Sequence, residues 1–182
     1  MSRTDARIRY TQGVLKQALL SFLQEKPINK ITVKEVCERA ELNRATFYAH
    51  YSDCFALLES IEEDLLEAFQ QSLKLVDSFD VTALIEAIYT MIEQQQEACR
   101  VLIFQNVCPN VLRRMISLAR DESISYWKRR LHHITDAELE MLYTHLSNGL
   151  MHVVVEGYEK YSREEVVRFV NRIVQCSLSQ FQ

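Results

Sequence analysis

A short stretch between residues 44 and 50 carries side chains that could read nucleic-acid bases. Arg44 supplies a planar donor fork, Ala45 a methyl group, Thr46 and Tyr48 hydroxyl groups, and His50 an imidazole. Arginine can donate two hydrogen bonds to guanine, alanine and threonine methyl groups can contact the thymine methyl, and hydroxyl or imidazole groups can bond phosphate oxygens. We therefore interpret this stretch as a candidate groove-reading surface.

The flanking residues predict two short helices joined by a tight turn. Thr32 and Glu35 have capping-box spacing, in which a hydroxyl and a carboxylate satisfy backbone N–H groups at a helix start. Leu42 supplies the apolar residue that a helix–helix corner needs, and Asn43 can cap a second helix beginning at Arg44. The groove-reading groups should therefore lie on this second helix.

The second short helix also has residues suited to a buried face. Phe47 and Tyr51 lie four residues apart and can pack together with Leu42. Small Ala45 and Ala49 keep the other face thin enough to approach base edges. The alternative is a helical corner inside an ordinary all-α protein, but such corners seldom combine a capping box, an asparagine cap and a thin polar face.

This segment resembles the DNA-binding domain of the TetR family of bacterial repressors. The resemblance rests on the string T-V-x-x-V-x-x-x-A-x-L-N-x-A-T-F-Y-x-H-Y-x-D, which begins at Thr32, and covers residues 7 to 60. It implies base contacts from Arg44, Ala45 and Thr46, and phosphate contacts from residues on both short helices. The predicted DNA-binding residues are Thr32, Lys34, Asn43, Arg44, Ala45, Thr46, Tyr48, His50 and Tyr51.

Two positions depart from the family pattern. The family usually has glycine where this chain has Glu41, at a turn that often needs positive φ, so we expect strain of about 1 kcal/mol there. The family often has a phosphate-binding lysine where this chain has Cys54. Anchoring to the DNA backbone should therefore be weaker at that point.

Length and composition predict a helical protein of two domains. The chain has 182 residues, with only 3 Gly and 2 Pro, which favours long helices over turn-rich sheets. The sequence predicts an all-α fold with an N-terminal three-helix helix-turn-helix domain, residues 1–53. A helical regulatory and dimerisation domain, residues 54–182, is expected to follow.

Charge is distributed unevenly along the chain. Residues 1–51 carry nine Lys and Arg against five Asp and Glu, whereas the remainder carries 12 against 20. A cationic head on an anionic body suits binding of a polyanion by the head alone. The resemblance implies that Arg3, Arg7 and Arg9 at the first helix contact phosphate or the minor groove; the alternative is a solvated terminus. The sequence shows no membrane span or secretion signal, and its five scattered cysteines suit reduced thiols, so we expect a cytoplasmic protein.

Beyond the head, helical periodicity continues to the C-terminus. It predicts helices over residues 5–24, 54–76, 81–97, 109–132, 135–161 and 163–178, with a break at Asp77–Asp80. The last two carry apolar stripes, which by resemblance form the dimer interface; the alternative is that both stripes are intramolecular core. The predicted stripe residues are Met141, Leu142, His145, Gly149, His152, Val153 and Glu156 on one helix and Val166, Val167, Val170, Ile173, Val174 and Ser177 on the other. A homodimer implies a pseudo-palindromic DNA operator.

By resemblance, the regulatory domain should hold a ligand cavity, and the protein should be a repressor that binds double-stranded DNA. An effector, either a small molecule or a protein, would release the repressor from the DNA. Candidate lining residues are Tyr89, Phe104, Met115, Trp127 and His145. No cofactor is predicted. His145 and His152 lie seven residues apart, a spacing that does not suit zinc, and no catalytic motif indicates an enzyme. The alternative function is a helical protein-interaction module that binds a partner through its regulatory domain.

Overall fold

The computed structural model describes residues 3–74 and 81–181, with the side chains of Arg3 and Thr4 left out, and these residues are helical almost throughout. The helices are α1 (Arg3–Leu23), α2 (Val33–Arg39), α3 (Arg44–Tyr48), α4 (Cys54–Lys74), α5 (Val81–Gln94), α6 (Gln96–Ala98), α7 (Pro109–Lys128), α8 (Asp136–Gly157) and α9 (Arg163–Leu178). Short 3-10 turns occupy Ile28–Lys30 and Ser179–Phe181, and Cys99–Phe104 is π-helical. The all-α prediction is confirmed for the described residues. The predicted break at Asp77–Asp80 lies outside them.

Local capping explains where several helices begin. Thr32, Thr135 and Ser162 each form a complete capping box with the glutamate three residues later, at the starts of α2, α8 and α9. Pro109 occupies the first turn of α7, where its missing N–H leaves no helical bond unmade. The predicted bounds of α9 agree with the structure, and its start is set by the local capping box at Ser162.

The chain divides into two compact units. The first contains the described residues up to Leu65 together with the segment Glu97–Val107. Within it, α1 packs against α2 and α2 against α3. Leu19, Val36 and Phe47 are fully buried in this unit, as are Val101 and Leu102 of the π-helical segment. The first unit is therefore built from two separate stretches of sequence.

The second unit contains the described residues of Leu66–Gln96 and Cys108–Gln182. In it, α7 packs against α8, and α9 packs against both α5 and α8. Arg163 links α9 to α5 through ion pairs with Glu86 and Glu93, and its guanidinium lies 5.0 Å from the centre of the Tyr89 ring. The division into functional domains between residues 53 and 54 stays a prediction; the compact units themselves divide within α4.

Two apolar residues near the starts of helices are exposed. Phe55, in the first turn of α4, is 57% exposed, while its neighbour Leu57 is fully buried. Ile8 of α1 is also exposed, by 39%. Helical periodicity fixes the spacing of a buried stripe but not its rotation at helix ends, where the neighbouring helix no longer covers every apolar side chain. Within the described ranges, no helix combines the length and apolarity that crossing a membrane requires.

Candidate nucleic-acid interface

The start of α2 is fixed by the predicted capping box. The Glu35 backbone N–H donates to Thr32 Oγ1 at 3.3 Å, and the Glu35 carboxylate accepts from the Thr32 backbone N–H at 2.9 Å. Lys26 adds a third partner, with its Nζ 2.6 Å from Glu35 Oε1. Hydrogen bonds from Lys26 and then Thr32 lower the pKa of Glu35 to about 2. The carboxylate therefore stays ionised and holds α2 in place.

The corner between α2 and α3 is a Schellman motif built on Glu41. The Leu42 N–H donates to the Cys37 carbonyl at 2.9 Å, and the Glu41 N–H donates to the Glu38 carbonyl at 3.3 Å. This bond pattern places Glu41 at φ 54°, in the left-handed region that favours glycine. The positive φ expected at Glu41 is confirmed.

Asn43 caps α3 as predicted. Its Oδ1 accepts from the Thr46 backbone N–H at 2.7 Å and from the Thr46 hydroxyl at 2.9 Å. The Thr46 proton is thus already used, which leaves its methyl group and the acceptor capacity of its hydroxyl oxygen for contact with a base. With Oδ1 occupied, the Asn43 side chain can offer its amide N–H groups outward.

The two faces of α3 differ sharply in exposure. Phe47 is completely buried, whereas Tyr48 is 57% exposed and meets the Phe47 ring edge-on at 5.6 Å. Arg44 and Ala45 are exposed on the same turn of α3. The structure therefore brings Arg44, Ala45 and Tyr48 together on one accessible face of a five-residue helix. We call these three residues the α3 face.

Tyr51 is a correction to the predicted DNA-binding set. Its side chain is 8% exposed, its ring lies 6.0 Å from that of Phe47, and its hydroxyl oxygen is buried. A buried hydroxyl cannot bond a phosphate oxygen in this conformation. Tyr51 belongs instead to the packing that orients α3, as its four-residue spacing from Phe47 indicated.

The side chains of the other predicted contact residues differ in how available they are to bind DNA. His50 is half-buried, and Lys34 is exposed with only a weak i,i+4 ion pair to Glu38 at 3.7 Å. The hydroxyl of Thr32 donates to Glu35 Oε2 at 2.8 Å, so it could serve a phosphate only by giving up that bond. Phosphate contacts from these residues stay predictions.

Ion pairs occupy several of the head's cations. Lys16 pairs with Asp64, Lys26 with Glu35, and Arg39 with Glu25 while lying 3.6 Å from the centre of the Phe22 ring. Arg44, by contrast, forms no salt bridge among the described residues. Its guanidinium is therefore available to a ligand without first breaking an ion pair.

Cys54 cannot replace the lysine that the resembling family carries at its position. Its side chain is buried, and burial raises the pKa of the thiol to about 11. A neutral, inward-facing thiol gives DNA no charge and no donor. The expected loss of a backbone anchor at this position agrees with its burial.

The body contains a small cavity, and only some of the predicted pocket residues lie at it. Met115 and Trp127 line a cavity of about 50 Å³ in the second unit. His145 lies instead on a surface groove between α8 and α9, and Tyr89 is buried against the Tyr158 ring at 5.4 Å. Phe104 belongs to the first unit. The five residues therefore do not share one cavity, because the rotation of each helix, which sequence spacing leaves open, decides where its side chain points.

The predicted dimer stripes divide between core and surface. On α9, Val166, Val170 and Val174 are buried inside the unit, whereas Phe169 and Ile173 are exposed. On α8, the predicted residues Met141, His145, Gly149, His152 and Glu156 are exposed. An apolar groove of about 220 Å³ runs along these two helices, lined on α9 by Phe169 and Ile173. We call this surface the α8/α9 face.

The chain is 37% identical over 62 residues to YxbF of Bacillus subtilis (strain 168), an uncharacterised helix-turn-helix-type transcriptional regulator. The matched residues make up 34% of this chain and 16% of that relative. No protein-family model matches the chain.

Solved structures match over nearly the whole chain. A TetR transcriptional regulator from Streptococcus agalactiae 2603V aligns with a TM-score of 0.68 and 22% identity, over 94% of this chain and 97% of that one. DhaS, the dihydroxyacetone kinase operon activator, aligns with a TM-score of 0.65 and 15% identity, over 94% and 98%.

The capped corner and the exposed α3 face define a helix-turn-helix protein. Its fold is that of the TetR-family transcriptional regulators, and the resemblance inferred from the sequence is confirmed at the level of the fold.

Proposed function

We propose that the protein is a sequence-specific DNA-binding transcriptional regulator whose α3 face enters the major groove. The observation that carries this proposal is the exposure of Arg44, Ala45 and Tyr48 on one side of a helix whose start is fixed by Asn43 and whose opposite side is anchored by Phe47. Rigid presentation of a donor fork, a methyl group and a hydroxyl suits direct reading of base edges. As a DNA-binding protein it would act in the cytoplasm.

Affinity for DNA tests this proposal. A preferred site is first selected from random oligonucleotides, and binding to it and to unrelated DNA is then measured by fluorescence anisotropy at several salt concentrations. Arg44→Ala should weaken binding to the selected site by about 1–3 kcal/mol and relax its sequence preference. Arg113→Ala is the matched control, because it also removes one exposed positive charge but lies on α7 of the second unit.

Equal losses on selected and unrelated DNA for Arg44→Ala would remove this residue from base reading. Failure to select any DNA, with salt-insensitive binding to a protein partner instead, would favour the alternative of an interaction module.

We further propose that two copies associate through the α8/α9 face. Phe169 and Ile173 expose apolar surface there. A Cβ atom added to Gly149 would have no described neighbour within 4 Å, so the surface beside this glycine is open. Such a surface suits close approach of a second copy. A symmetric pair would present two α3 faces about 34–36 Å apart, one turn of DNA, so the selected site should be pseudo-palindromic.

Association is tested by sedimentation at several protein concentrations. Phe169→Asp should give monomers and weaken binding to a two-half-site operator more than to a single half-site. Arg113→Asp, which changes an exposed residue of α7 that does not line this groove, should leave the association unchanged. A wild-type protein that remains monomeric at operator-binding concentrations would refute the dimer.

Repression released by an effector is the regulatory outcome we propose, with the body cavity as the effector site. DhaS, which shares the fold, is by name an operon activator, so activation is the second candidate. Transcription in vitro from a promoter carrying the selected site distinguishes the two by the sign of the change on adding protein.

A further inference from the structure

The cavity in the second unit has a chemical character that restricts its ligand. All of its lining residues belong to that unit, on α4, α5, α7, α8 and α9. Among them are Met115, Trp127, Leu150 and Met151, and no charged side chain contributes to the described lining. Moving a charge into such surroundings without a partner is strongly unfavourable. The lining therefore selects against ions.

One polar group in this lining is left without a partner. Ser123, on α7, is 1% exposed, and its Oγ forms no hydrogen bond with any described residue. Tyr143 also lines the cavity, but its hydroxyl already donates to the Ile116 carbonyl at 2.6 Å. A buried hydroxyl without a partner is unfavourable, so a ligand that bonds Ser123 would gain more than an apolar ligand of the same shape.

The size of the cavity limits the ligand further. Its volume is about 50 Å³, below the roughly 150 Å³ of an apolar protein cavity that binds benzene and well below the roughly 300–1,000 Å³ of sites for drug-sized molecules. Met115 and Met151 are unbranched and can move aside to enlarge it. A ligand the size of one aromatic ring therefore binds only if these side chains move.

We propose that this cavity binds a small, uncharged, mainly apolar molecule carrying one hydrogen-bonding group, such as a phenol, an alcohol or a ketone, which bonds Ser123. As the effector class, this inference rests on the proposed regulatory function. Binding itself is a property of the second unit and can be measured without DNA.

Ligands of matched shape test the proposal. Phenol and toluene differ by a hydroxyl in place of a methyl group, while benzoate and benzylammonium add a negative or a positive charge. Binding to the full-length protein is measured by calorimetry at neutral pH. The emission of Trp127, the sole tryptophan of the chain and a lining residue, reports whether the ligand occupies this cavity.

Phenol should bind the wild-type protein roughly two- to tenfold more tightly than toluene, the ratio expected for one neutral hydrogen bond. Both charged compounds should bind at least about a hundredfold more weakly than phenol. Ser123→Ala should abolish the preference for phenol while retaining toluene binding. Ser117→Ala is the matched control on the same helix, because its hydroxyl is exposed and donates to the Arg113 carbonyl, and it should keep the wild-type preference.

Several results would overturn the assignment: no binding of phenol or toluene, equal affinities for the two in the wild-type protein, or an unchanged ratio in Ser123→Ala. Circular dichroism of each variant establishes that it is folded. If the ligands bind as expected but leave operator affinity unaltered, the ligand class stands and the effector role fails. If neither binds while the protein still selects DNA, the DNA-binding proposal stands and this one fails.

Discussion

Replacing Glu41 by glycine should stabilise the protein, although it removes a side chain. Glu41 lies at φ 54° in the corner between α2 and α3, where a residue with a Cβ is disfavoured by roughly 1–2 kcal/mol. Glycine removes that strain, but its greater freedom in the unfolded chain offsets roughly 0.4–1 kcal/mol of the gain. With the middle of each range, the expected net increase in the free energy of unfolding is about 0.8 kcal/mol.

The matched control is Glu41→Ala, which removes the same carboxylate but keeps the Cβ. Glu41 is exposed, so loss of its side chain alone should change stability by less than about 0.5 kcal/mol. Urea unfolding is followed by circular dichroism at one fixed protein concentration, because association would shift the midpoint. For a chain of this length the expected gain in Tm for the glycine variant is about 1–3 °C.

The comparison of the two variants decides the matter. If Glu41→Gly is no more stable than Glu41→Ala, the left-handed backbone at this corner carries no appreciable strain and the reasoning is wrong. Because both variants lose the same negative charge near the α3 face, a gain in DNA affinity common to both reports electrostatics. A gain in DNA affinity confined to the glycine variant would come from the change in backbone strain at the corner.

Three further outcomes are expected. Tyr48→Phe should leave stability within about 0.5 kcal/mol but weaken binding to selected and unrelated DNA alike, as anisotropy would show; a loss confined to the selected site would assign the hydroxyl to a base. Hydrogen bonding, chiefly from Lys26, holds the folded-state pKa of Glu35 at about 2 against 4.5, so its contribution to stability is present above pH 4.5 and lost as the pH falls towards 2. Acid unfolding of Glu35→Gln should therefore depend less steeply on pH in that window, and parallel curves for the two proteins would contradict this. Ser162→Ala should lower the free energy of unfolding by about 1 kcal/mol, since it removes the hydroxyl that accepts from the Glu165 N–H; an unchanged urea midpoint would show that this cap is dispensable.

Features set by residues three or four positions apart could be predicted from the sequence. The capping boxes at Thr32 and Ser162 and the asparagine cap of α3 depend on local hydrogen bonds, so residue type and spacing suffice. The positive φ at Glu41 was predictable as well, but through the resemblance to a family that has glycine there. Local chemistry and one specific motif thus accounted for the corner that presents α3.

Features that depend on packing between distant helices were not predictable in the same way. Helical spacing marked Tyr89 and Trp127 equally as candidates for a pocket, but only Trp127 lines the cavity. Ser123 could not be predicted because a serine within a helical pattern carries no signal of burial; its significance depends on the residues that surround it in space. The π-helical segment Cys99–Phe104 was not predicted, since no simple periodicity marks a π-helix.

The two-part composition of the first unit has a consequence for engineering and for evolution. A truncated protein ending at Leu65 would lack Glu97–Val107 and its buried Val101 and Leu102, and would leave the apolar residues that pack against them facing solvent. A chimaera joined at a single crossover between Leu65 and Glu97 would likewise combine the N-terminal residues of one parent with the segment Glu97–Val107 of the other. Exchange of binding specificity between such proteins should therefore succeed more readily by grafting α3 alone than by swapping whole N-terminal halves.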